Sequence, residues 1–104
     1  MKKKLWLAGL GLTLLGTLAA APGPQVSGPE LAQRLGCWAC HSLSSQRGPK
    51  AASLKHIGTS LSPEDLRAVL TRPLSRHPQA KMPSYAYLRP WEMQALINYL
   101  HSLK

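Results

Sequence analysis

The sequence predicts a small all-α domain, three or four short helices and long loops wrapped around one bound group. Three observations predict it. Apolar residues recur at helical spacing in three stretches, each opening on a helix-starting pattern. No stretch shows the apolar/polar alternation of a half-buried strand. The loops are long for a chain of 104 residues, and long loops in a small domain normally carry function or enclose a ligand.

The chain opens with Lys2, Lys3 and Lys4, followed by an uncharged, mostly apolar run of 17 residues from Leu5 to Ala21 that closes on three alanines. That is the layout of a secretory signal peptide, residues 1–21. An uncleaved anchor is the alternative, because this length is the lower limit for spanning a bilayer. The small-residue close and the Pro/Gly-rich linker at residues 22–27 favour cleavage. No cysteine ends the run, which excludes a lipid-anchored cysteine there.

The domain proper, residues 28–104, begins at Ser27-Gly28-Pro29-Glu30, a capping-box pattern with Ser27 as N-cap and Glu30 at the third helical position. Leu31 and Leu35 share one face of this helix, which is expected to run into Cys37. Residues 42–61 are Ser/Gly-rich and weakly periodic and read as a loop. Ser62-Pro63-Glu64-Asp65 starts the next helix: an N-cap, a proline at the first position, then acids facing the helix dipole. Leu66, Val69 and Leu70 form its apolar face, and Pro73 stops it. Residues 73–83 hold three prolines, too many for a regular element. The last helix starts at Pro90, with Leu88 and Met93 spaced as a hydrophobic staple. Its apolar residues Met93, Leu96, Ile97, Leu100 and Leu103 follow the helical period.

A domain this small buries little apolar surface and usually needs a disulfide, a metal or a cofactor to hold it together. Its only cysteines are Cys37 and Cys40, and a disulfide between them would close a very small loop and contribute little. The chain has no Phe. Bulky apolar volume is therefore expected from outside the sequence.

Cys37, Cys40 and His41 form the only Cys-x-x-Cys-His in the chain, the attachment signal for c-type haem. Two thiols one helical turn apart add to the two vinyl groups of one porphyrin, and the following histidine supplies an imidazole nitrogen to the iron. A redox dithiol is a weaker reading, since no strand precedes Cys37 as a thioredoxin-like setting requires. A zinc site is weaker still: His56, His77 and His101 show none of the His pairing that would complete four ligands. For the sixth position on iron the candidates are methionines. Met93 fits the apolar face of the last helix, where methionine fills core. Met82 lies in the Pro-rich loop Lys81-Met82-Pro83, with no helix face to fill and an extended backbone imposed by Pro83. Met82 is thus the expected distal ligand, with His77 as the alternative.

From Gly28 onward these motifs resemble the class I monohaem c-type cytochromes. Gly48-Pro49 resembles the family's Gly-Pro, and the resemblance implies that the Pro49 carbonyl accepts the hydrogen bond from the His41 imidazole. Lys81-Met82-Pro83-Ser84-Tyr85 resembles the distal methionine loop, and residues 93–103 the C-terminal helix. Gly28 and Tyr99 resemble the contact between the two terminal helices. Ala32 departs from the pattern, because an aromatic is often found there; Trp38 or Trp91 is expected to compensate.

The implied function is one-electron transfer with one haem c and its iron, held through Cys37, Cys40, His41 and Met82, and no catalysis. A haem module tethered to a membrane respiratory complex through residues 5–21 is one alternative, and a haem enzyme or gas sensor with a labile distal site is another. The few acids sit mostly at helix starts, which leaves no evident distal acid–base pair. The formal net charge is +9, from 13 Lys plus Arg against 4 Asp plus Glu. Such a surface can steer docking onto acidic patches of a reductase and an oxidase. No nucleic-acid recognition motif is present. The chain is expected to work as a monomer on the periplasmic or extracytoplasmic side of the membrane.

Overall fold

The computed structural model describes Gly11 and residues 26–104. The expected signal peptide and nearly all of the linker lie outside the described residues. Within them the fold is all-α, with no strand. The first helix, α1, spans Gly28–Arg34, and a short 3-10 turn follows at Cys37–Ala39. Then come α2 (Ile57–Ser60), α3 (Pro63–Thr71), α4 (Pro73–Arg76) and α5 (Pro90–Ser102). Five α-helices exceed the three or four expected, because α2 and α4 are single turns too short to show a sequence period.

Each longer helix starts where its capping chemistry predicts. The Ser27 hydroxyl accepts from the Glu30 backbone N–H at 3.2 Å. The expected capping box at α1 is only half formed, because the Glu30 carboxylate turns to Arg34 at 2.9 Å. At α3 the box is complete: Asp65 N–H donates to the Ser62 hydroxyl at 3.1 Å, and Ser62 N–H donates to the Asp65 carboxylate at 3.2 Å. At α5, Arg89 N–H donates to the Glu92 carboxylate at 2.9 Å.

Three local expectations are corrected. α1 does not run into Cys37. It ends at Arg34, and Gly36 adopts φ 78°, a left-handed conformation that glycine tolerates and that reverses the chain before the cysteines. The loop expected at residues 42–61 contains α2, which is tied down by Gly58 N–H donating to the Leu103 carbonyl at 2.7 Å. Pro73 does stop α3, but it also begins α4, where its fixed φ suits a first helical position and its missing N–H is not needed.

The core forms where α1 and α3 pack on α5. Leu31, Ala32, Leu66, Leu70, Tyr85, Met93, Leu96, Ile97 and Leu100 are buried with Cys37. Full burial of residues such as Leu96 and Ile97 contributes about 1.5–3 kcal/mol each. Gly28 lets α1 approach α5 closely: a Cβ there would collide with the Tyr99 Cβ and the Ala95 carbonyl oxygen. This is the contact expected of Gly28 and Tyr99. Ala32 is fully buried, and Trp38 packs partly buried against the core. Trp91 does not compensate for Ala32. It is 53% exposed, with the Arg89 guanidinium 5.4 Å from its ring centroid.

Candidate haem site

The attachment turn is built by backbone hydrogen bonds onto a single acceptor. The Cys37 carbonyl accepts from Cys40 N–H at 3.2 Å and from His41 N–H at 2.9 Å. Cys37 and Cys40 are both free thiols, with Cys37 buried and Cys40 half-buried. One tight turn therefore carries both sulfurs and delivers His41 immediately after them. Burial pushes the Cys37 thiol up, the Cys40 charge adds to that shift, and a backbone hydrogen bond opposes it. A redox dithiol needs the reverse, an attacking sulfur whose pKa is lowered.

The segment after His41 folds back onto the turn. Lys50 N–H and Ala51 N–H both donate to the Cys40 carbonyl, at 3.1 and 3.0 Å, and Gly48 N–H donates to the Ala51 carbonyl at 2.9 Å. Leu54 N–H donates to the Ser42 carbonyl at 2.8 Å. Gly48 packs so closely on this backbone that a Cβ would collide with the Cys40 carbonyl oxygen and with the His41 backbone.

This fold-back decides the partner of the imidazole. His41 Nδ1 lies 2.7 Å from the carbonyl oxygen of Ala52. The expectation for Pro49 is corrected. The Gly48–Ala51 turn is spent on the Cys40 carbonyl, and the first carbonyl beyond it that faces the ring is that of Ala52. A carbonyl only accepts, so Nδ1 carries a proton, and in the neutral ring Nε2 then keeps its lone pair. That is the tautomer a metal-ligating histidine needs, with the second nitrogen fixed by a backbone oxygen.

Met82 is half-buried and packs against the core cluster that includes Cys37. It lines an open cavity of about 240 Å³ with Thr71, Arg72, Pro73, Leu74, Ser75 and Ser84, at the bend between α3 and α4. Met93 lies in the core at 4% exposure, as packing. His77 is exposed, at the C-terminal end of α4. Among the described residues, no group of three or more Cys, His, Asp or Glu could hold a metal ion by itself.

The residues fit haem c on two counts, a paired-thiol turn and an imidazole whose Nδ1 faces a carbonyl, while Met82 packs against the cluster that contains Cys37 but lines a cavity that Cys37, Cys40 and His41 do not share. Sequence reasoning missed Ala52, which bears no side-chain signal because only its carbonyl acts. It also missed Ser84 and Tyr85, whose hydrogen bonds reach distant helix ends.

An all-α domain with a Cys-x-x-Cys-His turn ahead of a Met-Pro loop defines the class of small haem-binding electron carriers. The cytochrome c family model matches residues 25–104, and the chain belongs to that family. No curated protein gives a significant match to the chain. Haem c is accordingly its cofactor, attached through Cys37 and Cys40, with iron at its centre. Family members are in general electron carriers, not enzymes.

Proposed function

We propose that this chain is an exported monohaem cytochrome that carries single electrons between redox partners, with His41 and Met82 as the axial ligands of the iron. The observation that carries the reading is Met82, half-buried against the same packed cluster as Cys37. Haem supplies the redox chemistry, one electron entering or leaving its iron. His41 is held in the ligating tautomer by Ala52. A thioether from Met82 is soft and neutral and favours the reduced state, which raises the potential. With haem bound, His41 and Met82 would together hold the iron and leave no position for a small ligand.

The acidic side chains offer no proton relay. Glu30 pairs with Arg34 and Asp65 with Arg76. Glu92 caps α5. Only Glu64 has no such role, and it is exposed at the start of α3. This favours a carrier over a haem enzyme or sensor.

Lys2–Lys4 and the apolar run to Ala21 support export, with cleavage near Ala21. Among the described residues no helix is long and apolar enough to cross a membrane. Exposed cations such as Lys50, Arg72 and Lys81 supply a surface for acidic patches on a reductase and an oxidase. The test is a redox titration of the purified protein, repeated under carbon monoxide. A single one-electron step that carbon monoxide leaves unchanged is expected. Ready binding of carbon monoxide by the reduced protein would establish a labile distal site and restore the enzyme or sensor reading.

A further inference from the structure

Two residues that immediately follow the Met82-Pro83 pair tie this loop to the ends of two separate helices. The Ser84 hydroxyl donates to the Thr71 carbonyl at 2.7 Å, and Tyr85 N–H donates to the Leu70 carbonyl at 2.7 Å. Both acceptors are carbonyls of the last turn of α3, which a helix end leaves without intrahelical donors. The Tyr85 hydroxyl reaches in another direction, donating to the Leu35 carbonyl at 3.4 Å. Leu35 is the C-cap of α1, two residues before Cys37. Tyr85 is itself buried, at 6% exposure. Tyr87, two residues on, is 73% exposed.

The geometry points to Tyr85 as a positioning residue that holds the Met82 loop in ligating register by bridging it to the end of α1 beside the attachment turn. This rests on the reading of Met82 as the distal ligand. One phenol hydroxyl spans from the distal loop to the helix that leads into the cysteines. The two halves of the site, 50 residues apart along the chain, are thereby joined by a direct bond. The Ser84 hydroxyl and the Tyr85 backbone N–H fix the loop to α3, and the Tyr85 hydroxyl adds a hydrogen bond to the attachment side. Burial pushes the phenol above its ordinary value, so the hydroxyl stays a donor. A loop held this way opens as a local unit, and the opening is what lets a foreign ligand displace sulfur.

The test uses the oxidised holoprotein and measures the rate at which added imidazole displaces the sulfur ligand, followed by loss of the near-infrared sulfur-to-iron band. Tyr85→Phe keeps the ring and its burial and removes only the hydroxyl. It should displace about threefold faster, the effect of one long hydrogen bond on a local opening equilibrium. Tyr87→Phe makes the same chemical change at an exposed position and should match the wild type. Gly58→Ala perturbs the contact between α2 and the end of α5, where a Cβ would meet the His101 carbonyl, on neither helix that the loop is bonded to, and should also match the wild type in this rate. Equal rates in Tyr85→Phe and the wild type would overturn the proposal. So would equal acceleration in Tyr85→Phe and Gly58→Ala, which would make the tyrosine merely structural. A sulfur band that is absent from the wild type, or that survives Met82→Ala, would instead overturn the ligand assignment, and the Tyr85 proposal with it.

Discussion

The imidazole Nδ1 of His41 and the carbonyl oxygen of Ala52 lie 2.7 Å apart, across eleven residues of chain. The contact is made by backbone, so no side chain in the segment announces it. It exists because the intervening turn is folded onto the Cys40 carbonyl.

Pro49 and Gly48 therefore respond differently to substitution. Pro49→Ala should leave haem content and reduction potential unchanged, since Pro49 is exposed and its carbonyl is not the imidazole's partner. Gly48→Ala should lose about 1–3 kcal/mol of stability, the ordinary cost of overpacking, because its Cβ meets backbone that cannot swing aside. Denaturant titration of the two holoproteins and a potential measurement on each check both outcomes.

Gly28→Ala sets helix propensity against packing. Alanine is the better helix former by about 0.5–1 kcal/mol. The added methyl group, however, meets the Tyr99 Cβ and the Ala95 carbonyl. Overpacking of a tight contact typically costs about 1–3 kcal/mol, so the variant should be net destabilised. A lower urea midpoint with an unchanged slope is the expected result.

Asp65 gives a prediction in pH. The Ser62 backbone N–H, the Arg76 guanidinium and the Ser62 hydroxyl together hold its carboxyl below the usual carboxylate range. A lowered folded-state pKa stabilises the fold above the unfolded value, and that contribution is lost as pH falls through the folded value. Asp65→Asn should thus be less stable than the wild type at neutral pH, and the gap should close in acid. A gap that persists unchanged at low pH would assign the effect to something other than the carboxylate charge. Urea midpoints of both proteins across the acid range measure it.

The sequence made some of this legible and hid the rest for physical reasons. α3 and α5 declare themselves because caps and apolar spacing act over adjacent residues, as at Ser62–Asp65 and from Met93 to Leu100. The Cys37–His41 turn is equally local, and its thiols and imidazole are the chemistry itself. α2 and α4 are single turns, shorter than any period that could reveal them. Residues 73–83 carry three prolines that read as irregular, although Pro73 is well suited to open a helix. The imidazole's partner depends on where a loop of nondescript residues folds back, and Pro49 offered the more conspicuous residue while Ala52 holds the position. Tyr85 and Leu35 are joined only by the tertiary fold, which no local pattern encodes.

The most direct test of the central claim, a His/Met electron carrier, is the near-infrared sulfur-to-iron band of the oxidised protein in three forms: wild type, Met82→Ala and Met93→Leu. The wild type should show the band. Met82→Ala should lose it, fall in potential and bind carbon monoxide when reduced, because the soft ligand that favours the reduced iron is gone. Met93→Leu should keep the band, since Met93 is core at 4% exposure and leucine conserves its volume and apolarity. A band that survives Met82→Ala but vanishes in Met93→Leu would contradict the account, as would a wild-type spectrum of bis-histidine iron, which would move the distal position to His77.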